Sequence, residues 1–102
     1  MNIQTFTTIM PNMEVRKIEK LENTFNEKTY VTLQIHFDDA EGNRLIFKDK
    51  NVERESFYKR GMIGTLTLRI IDEPIIKTST KNTDYQYVSD RISITIEDFK
   101  EE

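Results

Sequence analysis

FYKRGMIGTLTLRI, residues 57–70, decides how the chain is read. Its first half joins an aromatic pair, two basic residues and Gly61; its second half alternates apolar and polar side chains. Leu66, Leu68 and Ile70 fall on one side of an extended chain, with Thr65, Thr67 and Arg69 on the other. That period of two is what a half-buried strand requires. Gly64 inside it marks a bend or a close backbone approach. Just upstream, NVERESFYKR offers Asn51 as a helix cap, Glu53 in the first turn and Arg60 near the end, with Gly61 to stop the helix. Residues 51–70 therefore predict a short helix anchored by Val52 and Phe57, a glycine stop, then a long strand.

Outward from this stretch, YVTLQIHFDD (30–39) is the strongest strand signal. Val31, Leu33, Ile35 and Phe37 share one face; Tyr30, Thr32, Gln34 and His36 share the other. DDAEGN supplies a turn, and RLIFKDK resumes the sheet with Leu45 and Phe47 inward and Arg44, Ile46 and Lys48 outward. A hairpin is expected. Earlier, MEVRKIEKL spaces Val15, Ile18, Leu21 and Phe25 as a helix would, or as a long strand with one bulge would. The strand is preferred, because polar ENTFNEK follows as a connection into a strong strand. Residues 3–10 alternate weakly toward a Pro11-Asn12 turn, as an edge strand or loose arm. After the central strand, DEPIIKTSTKNTDY reads as a long polar hairpin loop. YVSDRISITIEDF is the last strand, with Ile92, Ile94 and Ile96 inward, and FKEE should fray.

One domain over 1–102 is the expectation: an N-terminal strand or arm at 1–12, a barrel at 13–99 and a frayed tail at 100–102. Three strands, one short helix and two strands is the order of a mainly β, five-stranded OB-fold-like Greek-key barrel with its helix between strands 3 and 4. An SH3-like barrel and a two-layer α+β sandwich are the alternatives.

Composition narrows the role. With 36% hydrophobic and 32% charged residues, six phenylalanines and four tyrosines, the 102-residue chain can build one core but not two. It has no cysteine, so disulfides and thiolate metal sites are excluded and a cytoplasmic home is expected. No apolar run approaches the ~20 residues of a membrane helix, and MNIQTFTTIMPN lacks the charge and apolar core of a secretory signal. A net charge of −3 counts against a generic double-helix binder. A single-strand binder is less constrained, because ring stacking supplies part of its affinity and a local groove matters more than total charge.

Three segments resemble the single-stranded DNA-binding proteins of bacteria, their phages and mobile elements, over roughly residues 13–99. VRKIEKLEN followed by YVTLQIHF resembles the family's first strand, connector and alternating second strand. YKRGMIGTLTLRI resembles its lysine-glycine entry into a strand that holds a further glycine. YVSDRISITIEDF resembles its last strand after a long hairpin. The chain departs from the family in having no tryptophan, in carrying Met62 where an acidic residue is usual, and in ending shortly after Phe99. The resemblance implies a non-enzymatic module of DNA replication with single-stranded DNA as partner, RNA as the variant reading, homo-oligomerisation as an option, and no cofactor.

In an OB-type barrel, nucleic acid crosses the second and third strands, flanked by the first and last hairpin loops. The candidate contacts there are Tyr30, Gln34, His36, Arg44, Lys48 and Lys50, joined by Lys77, Lys81 and Tyr85 from the long loop, where Tyr87 also lies. Tyr30 beside Arg44 and Lys48 is the leading constellation, set against an ordinary solvated sheet face. The loop tyrosines have a plainer reading as packing at the hairpin base, and Asp72, Glu73 and Asp84 dilute the positive field. Tyr58, Lys59 and Arg60 form a lesser basic-aromatic patch. Asp38, Asp39 and Glu41 lack the ligand spacing of a calcium loop and read as a turn. His36, the single histidine, makes neither a zinc site nor a triad. No nucleophile elbow or phosphate loop occurs, so an enzyme is not expected. The competing reading is a protein-interaction or assembly module, such as a phage or mobile-element structural component, favoured by the negative charge and by Ile46 on the outer face.

Overall fold

The computed structural model describes residues 2–78, 81 and 85–102. Five strands form, with a short 3-10 helix between the third and fourth: β1 (Gln4–Phe25), β2 (Lys28–Asp38), β3 (Arg44–Asp49), the helix (Val52–Ser56), β4 (Ile63–Thr78) and β5 (Gln86–Glu101). They make one mainly antiparallel sheet in the order β1-β2-β3-β5-β4, and β4 returns to β1, so the sheet closes in a ring. The seam is the parallel neighbour pair β3 and β5, paired at Lys48 and Thr95.

β1 serves two neighbours because it bends twice. One register shift, between Met10 and Met13, holds Pro11 and Asn12, the latter at φ 58°. A second lies between Val15 and Lys17. Before the first, Gln4 to Met10 pair with Asp72 to Leu66 of β4; after the second, Lys17 to Phe25 pair with His36 to Lys28 of β2. A bulge adds a residue and increases local twist, which is how one long strand turns a corner between neighbours. Pro11-Asn12 is thus a bend within a strand, not the strand end the sequence suggested. Residues 4–10 are a sheet strand.

The second bulge also corrects the expected face of β1. Val15 and Ile18 do stand opposite inward Phe37 and Ile35. Leu21 and Phe25, grouped with them by helical spacing, stand opposite Thr32 and Lys28 on the outer wall. The connector expected at residues 22–28 shrinks to a two-residue turn, Asn26 and Glu27, both at positive φ (51° and 65°). Such a turn matches the twist of the strands it joins.

The core fills the ring from β1, β2, β4 and the end of β5. Val15, Leu33, Ile35, Phe37 and Leu66 are fully buried. The Phe37 ring lies 6.4 Å from Phe47 and 5.6 Å from Phe99, centroid to centroid, so three strands meet through aromatic contact. Gly64 provides the close approach its place in β4 suggested. A Cβ there would lie 2.1 Å from the Lys100 carbonyl oxygen. That contact lets β5 run beside β4 to its end. Gly64 pairs with Glu101 and Glu102 N–H donates to Ile63 O at 3.0 Å, so the closing residues belong to the ladder instead of fraying.

The helix departs from expectation in its phase. It is capped by the Asn51 side chain accepting from Glu53 N–H at 3.2 Å, as read, but it is a single 3-10 stretch that ends at Phe57 instead of continuing to Arg60. A 3-10 helix has three residues per turn, which shifts the inward position. Tyr58, not Phe57, enters the core; Phe57 is exposed, and Val52 packs against the core as expected.

The β4–β5 hairpin outruns the ring. Asp72 to Thr78 pair continuously with Ile92 to Gln86, so most of the segment read as a polar loop is strand; its centre, including Asp84, falls outside the described residues. Past the pair Leu68 and Ile96, the described residues cover this sheet only in part, leaving Ile70, Asp72 and Pro74 half-buried and the β5 side open. Hence Ile92 and Ile94, expected to be buried with Ile96, are exposed. Among the described residues, no helix is long and apolar enough to cross a membrane.

Candidate nucleic-acid interface

The outer wall of β1–β2–β3 is built by register. Gln34 stands opposite Lys48, His36 opposite Ile46, and Asp38 opposite Arg44. On the other side of β2, Asn23 stands opposite Tyr30 and Phe25 opposite Lys28. Opposite residues in an antiparallel pair share a face, so Phe25, Lys28, Tyr30, Gln34, Ile46 and Lys48 all project from one surface. Phe25 and Tyr30 are diagonal neighbours at its hairpin end, 68% and 53% exposed. The two rings make no contact with each other, so each offers its own stacking face on this wall.

Two of the expected contacts are held by carboxylates. Arg44 Nε donates to Asp38 Oδ1 at 2.6 Å, and Arg16 reaches the other oxygen of Asp38 at 3.3 Å. His36 Nε2 donates to Glu19 Oε1, and Lys17 Nζ approaches the same oxygen at 3.6 Å. The hydrogen bond from His36 holds the Glu19 carboxyl below its usual value. Tyr30, Lys28 and Lys48 have no hydrogen bond or ion pair among the described side chains. Half-exposed Ile46 lies next along β3 from Lys48 on this wall. The wall is therefore aromatic and apolar with scattered ammonium groups, not a dense cationic stripe.

The remaining expected contacts lie elsewhere. Lys50 is exposed just beyond the end of β3, beside the helix cap. Lys77 stands opposite Tyr87 near the tip of the β4–β5 hairpin, and the rings of Tyr85 and Tyr87 stack on each other at 6.1 Å and 27°. Lys81 is exposed between them. Lys77 and Tyr87 lie on β4 and β5, strands other than those of the β2–β3 wall, so the sequence candidates divide into two clusters.

Phe25 is an exposed ring on this wall that sequence reasoning placed inward. The signal was present: counting back by two from Tyr30 across a tight turn at Asn26-Glu27 puts Phe25 on the same face. Asp49 was missed too. It is 1% exposed, and it accepts from Tyr58 Oη at 2.7 Å, Asn51 N–H at 2.9 Å and Arg54 Nη1 at 3.3 Å. Arg54 Nη2 also donates to Glu97 O at 2.6 Å, tying the helix to β5. Every partner is intramolecular, so Asp49 is a structural anchor. Asp39 closes its turn by accepting from Glu41 N–H, Asn43 N–H and Asn43 Nδ2, which is the plain turn expected of that acidic run. Among the described residues, no group of three His, Cys, Asp or Glu side chains is placed to hold a metal.

Comparison with known proteins yields no match to any family model, to any curated protein or to any solved structure. The geometry alone therefore carries the functional reading.

Proposed function

We propose that the ring is an OB-type Greek-key barrel that binds single-stranded nucleic acid, DNA foremost, across the outer wall of β1–β2–β3. It does so in the cytoplasm, without catalysis and without strong sequence preference. The strand order β1-β2-β3-β5-β4, the parallel β3–β5 neighbours and the helix between β3 and β4 agree with that topology. The observation that carries the reading is the pair of exposed rings, Phe25 and Tyr30, on one wall with Lys28 and Lys48. Every base has a π-face, so rings bind without reading sequence, while ammonium groups meet the backbone phosphates. Arg44 and His36, tied to Asp38 and Glu19, act by shaping the wall.

Electrophoretic shifts of labelled oligothymidylate test this directly. Phe25→Ala and Tyr30→Ala should each weaken binding by about 1–3 kcal/mol, the usual loss for one stacked base. Lys48→Ala should weaken binding and lower the salt slope by about one. Unchanged affinity in all three variants removes the wall as the site. Preferential competition by unlabelled RNA would reassign the ligand to RNA.

A further inference from the structure

The inward face of the ring does not stop where the ring stops. On the parity of buried Leu68 and Ile96, the next position sets Phe6, Ile70 and Ile94 side by side across β1, β4 and β5. Beyond them, Ile92 stands opposite Asp72, and Val88 opposite Ile76. Phe6, Ile76, Val88 and Ile92 are 50%, 61%, 60% and 63% exposed. A core-like stripe thus runs along the projecting arm, half-buried at Ile70, Asp72 and Pro74 and exposed at Ile76 and along β5 at Val88, Ile92 and Ile94. The arm's flanks are also open, because β1 meets β2 only from Glu14 onward and β5 meets β3 only at Thr95.

We propose that this apolar face of the β4–β5 arm is the contact surface for a second copy of the chain, arm packed on arm about a two-fold axis. Surface area points to an occupant of that size. The chain exposes 7542 Å², against about 6,000 Å² expected for a compact 12.1 kDa protein, an excess of about 1,500 Å². A stable interface buries about 800 Å² per partner, well within that excess. Shape agrees: the radius of gyration is 17.0 Å, where a compact chain of this length has about 13 Å. The arm contributes to that excess together with the β1–β2 hairpin, and a facing arm would give it the second layer a sheet needs.

Charge excludes other occupants. At the positions that share this face, from Gln4 to Met10, Leu68 to Thr78 and Gln86 to Ile96, there is no lysine or arginine, while Asp72 and Asp90 are present. Neither a phosphate backbone nor an anionic lipid surface would settle there. Apart from Asp72 and Asp90, the stripe is apolar on both strands of its own hairpin, Ile76 across from Val88 and Ile70 across from Ile94, so it can meet its own copy in an isologous contact. The β2–β3 wall belongs to other strands, so this inference stands independently of the nucleic-acid reading.

Light scattering on the full chain over the micromolar range tests it, with Ile92→Lys on the proposed face and Thr5→Lys on the opposite face of β1, the strand beside the arm. Both side chains are exposed in the single chain, and unchanged far-ultraviolet circular dichroism establishes that each variant folds. The expected result is twice the 12.1 kDa chain mass for the unmodified protein and Thr5→Lys, and the single-chain mass for Ile92→Lys. If Ile92→Lys fails to fold, Val88→Lys takes its place with the same expectation. A single-chain mass for the unmodified protein throughout, or a dimer that survives the substitution on the apolar face, overturns the proposal.

Discussion

Asp49 shows how much one buried charge organises. Its carboxylate gathers Tyr58, Arg54 and the backbone of Asn51, fixing the entry and exit of the 3-10 helix at once. Removing one partner of a buried charge leaves the other unsatisfied. Asp49→Ala should therefore cost about 3–5 kcal/mol in urea unfolding, and Tyr58→Phe about 1.5–3 kcal/mol, the usual worth of a hydrogen bond to a charged group. Burial is the main cause that raises the Tyr58 phenol far above its ordinary value of 10.0, with Asp49 adding to it. The sign follows from that direction. In the unfolded chain Tyr58 ionises near its ordinary value, while the folded chain keeps it protonated, so unfolding releases a proton at high pH. Its contribution is full below about 10 and is lost as pH rises from there toward the folded-state value. Alkaline titration of stability should show this added loss in the native protein, and Tyr58→Phe should abolish that component. Asp49 was legible in part: it continues the inward parity of Leu45 and Phe47. An acidic residue flanked by two lysines reads as surface, however, and nothing local announces the tyrosine nine residues on.

Among the elements, β2 and the first half of β4 are the ones that alternation read well, because Leu33, Ile35, Phe37, Leu66 and Leu68 face a filled core and the polar residues between them face outward. Gly64 was also readable as a close approach, and its consequence is concrete. An added methyl group would meet backbone, not a yielding side chain. Gly64→Ala should cost about 1–3 kcal/mol, the range for overpacking, and should expose the amide of Glu102 to faster hydrogen exchange. An exchange rate equal to that of the parent would show that β5 ends are held by something other than this contact. The β1–β2 turn invites the opposite test. Glu27 sits at φ 65°, a region that costs a residue with a side chain roughly 1–2 kcal/mol. Glu27→Gly should recover part of that and raise the urea midpoint; a lower midpoint would mean the Glu27 side chain has a stabilising role. β1 and β5 were harder to read. Helical spacing and bulged-strand spacing coincide at Val15 and Ile18 and diverge only past the bulge, which misplaced Leu21 and Phe25. Ile92 and Ile94 carry the alternation of a buried strand, but burial depends on an opposing layer that no local pattern encodes.

On the scale of the whole molecule, a closed ring carries two projections, the β1–β2 hairpin and the β4–β5 arm, and stretches to 53 × 33 × 22 Å. The ring was foreseeable from the order of strands and helix; the length of the arms was not, because the polar strand residues 22–25, 28 and 72–78 resemble loops. The candidate site is split by the same geometry. Tyr30, Gln34 and Lys48 gather on the wall as their parity implied, and the Tyr85–Tyr87 pair stands apart at a tip. In the proposed binding mode, affinity comes from stacking plus a few phosphate contacts, so it should fall with salt, though less steeply than in strongly basic binders. The most direct test is a titration of intrinsic tyrosine fluorescence with oligothymidylate at low salt, repeated as salt is raised. Saturable quenching that weakens with salt, and that diminishes in Tyr30→Ala, is the expected outcome; a flat response at low salt would contradict single-strand binding by this chain.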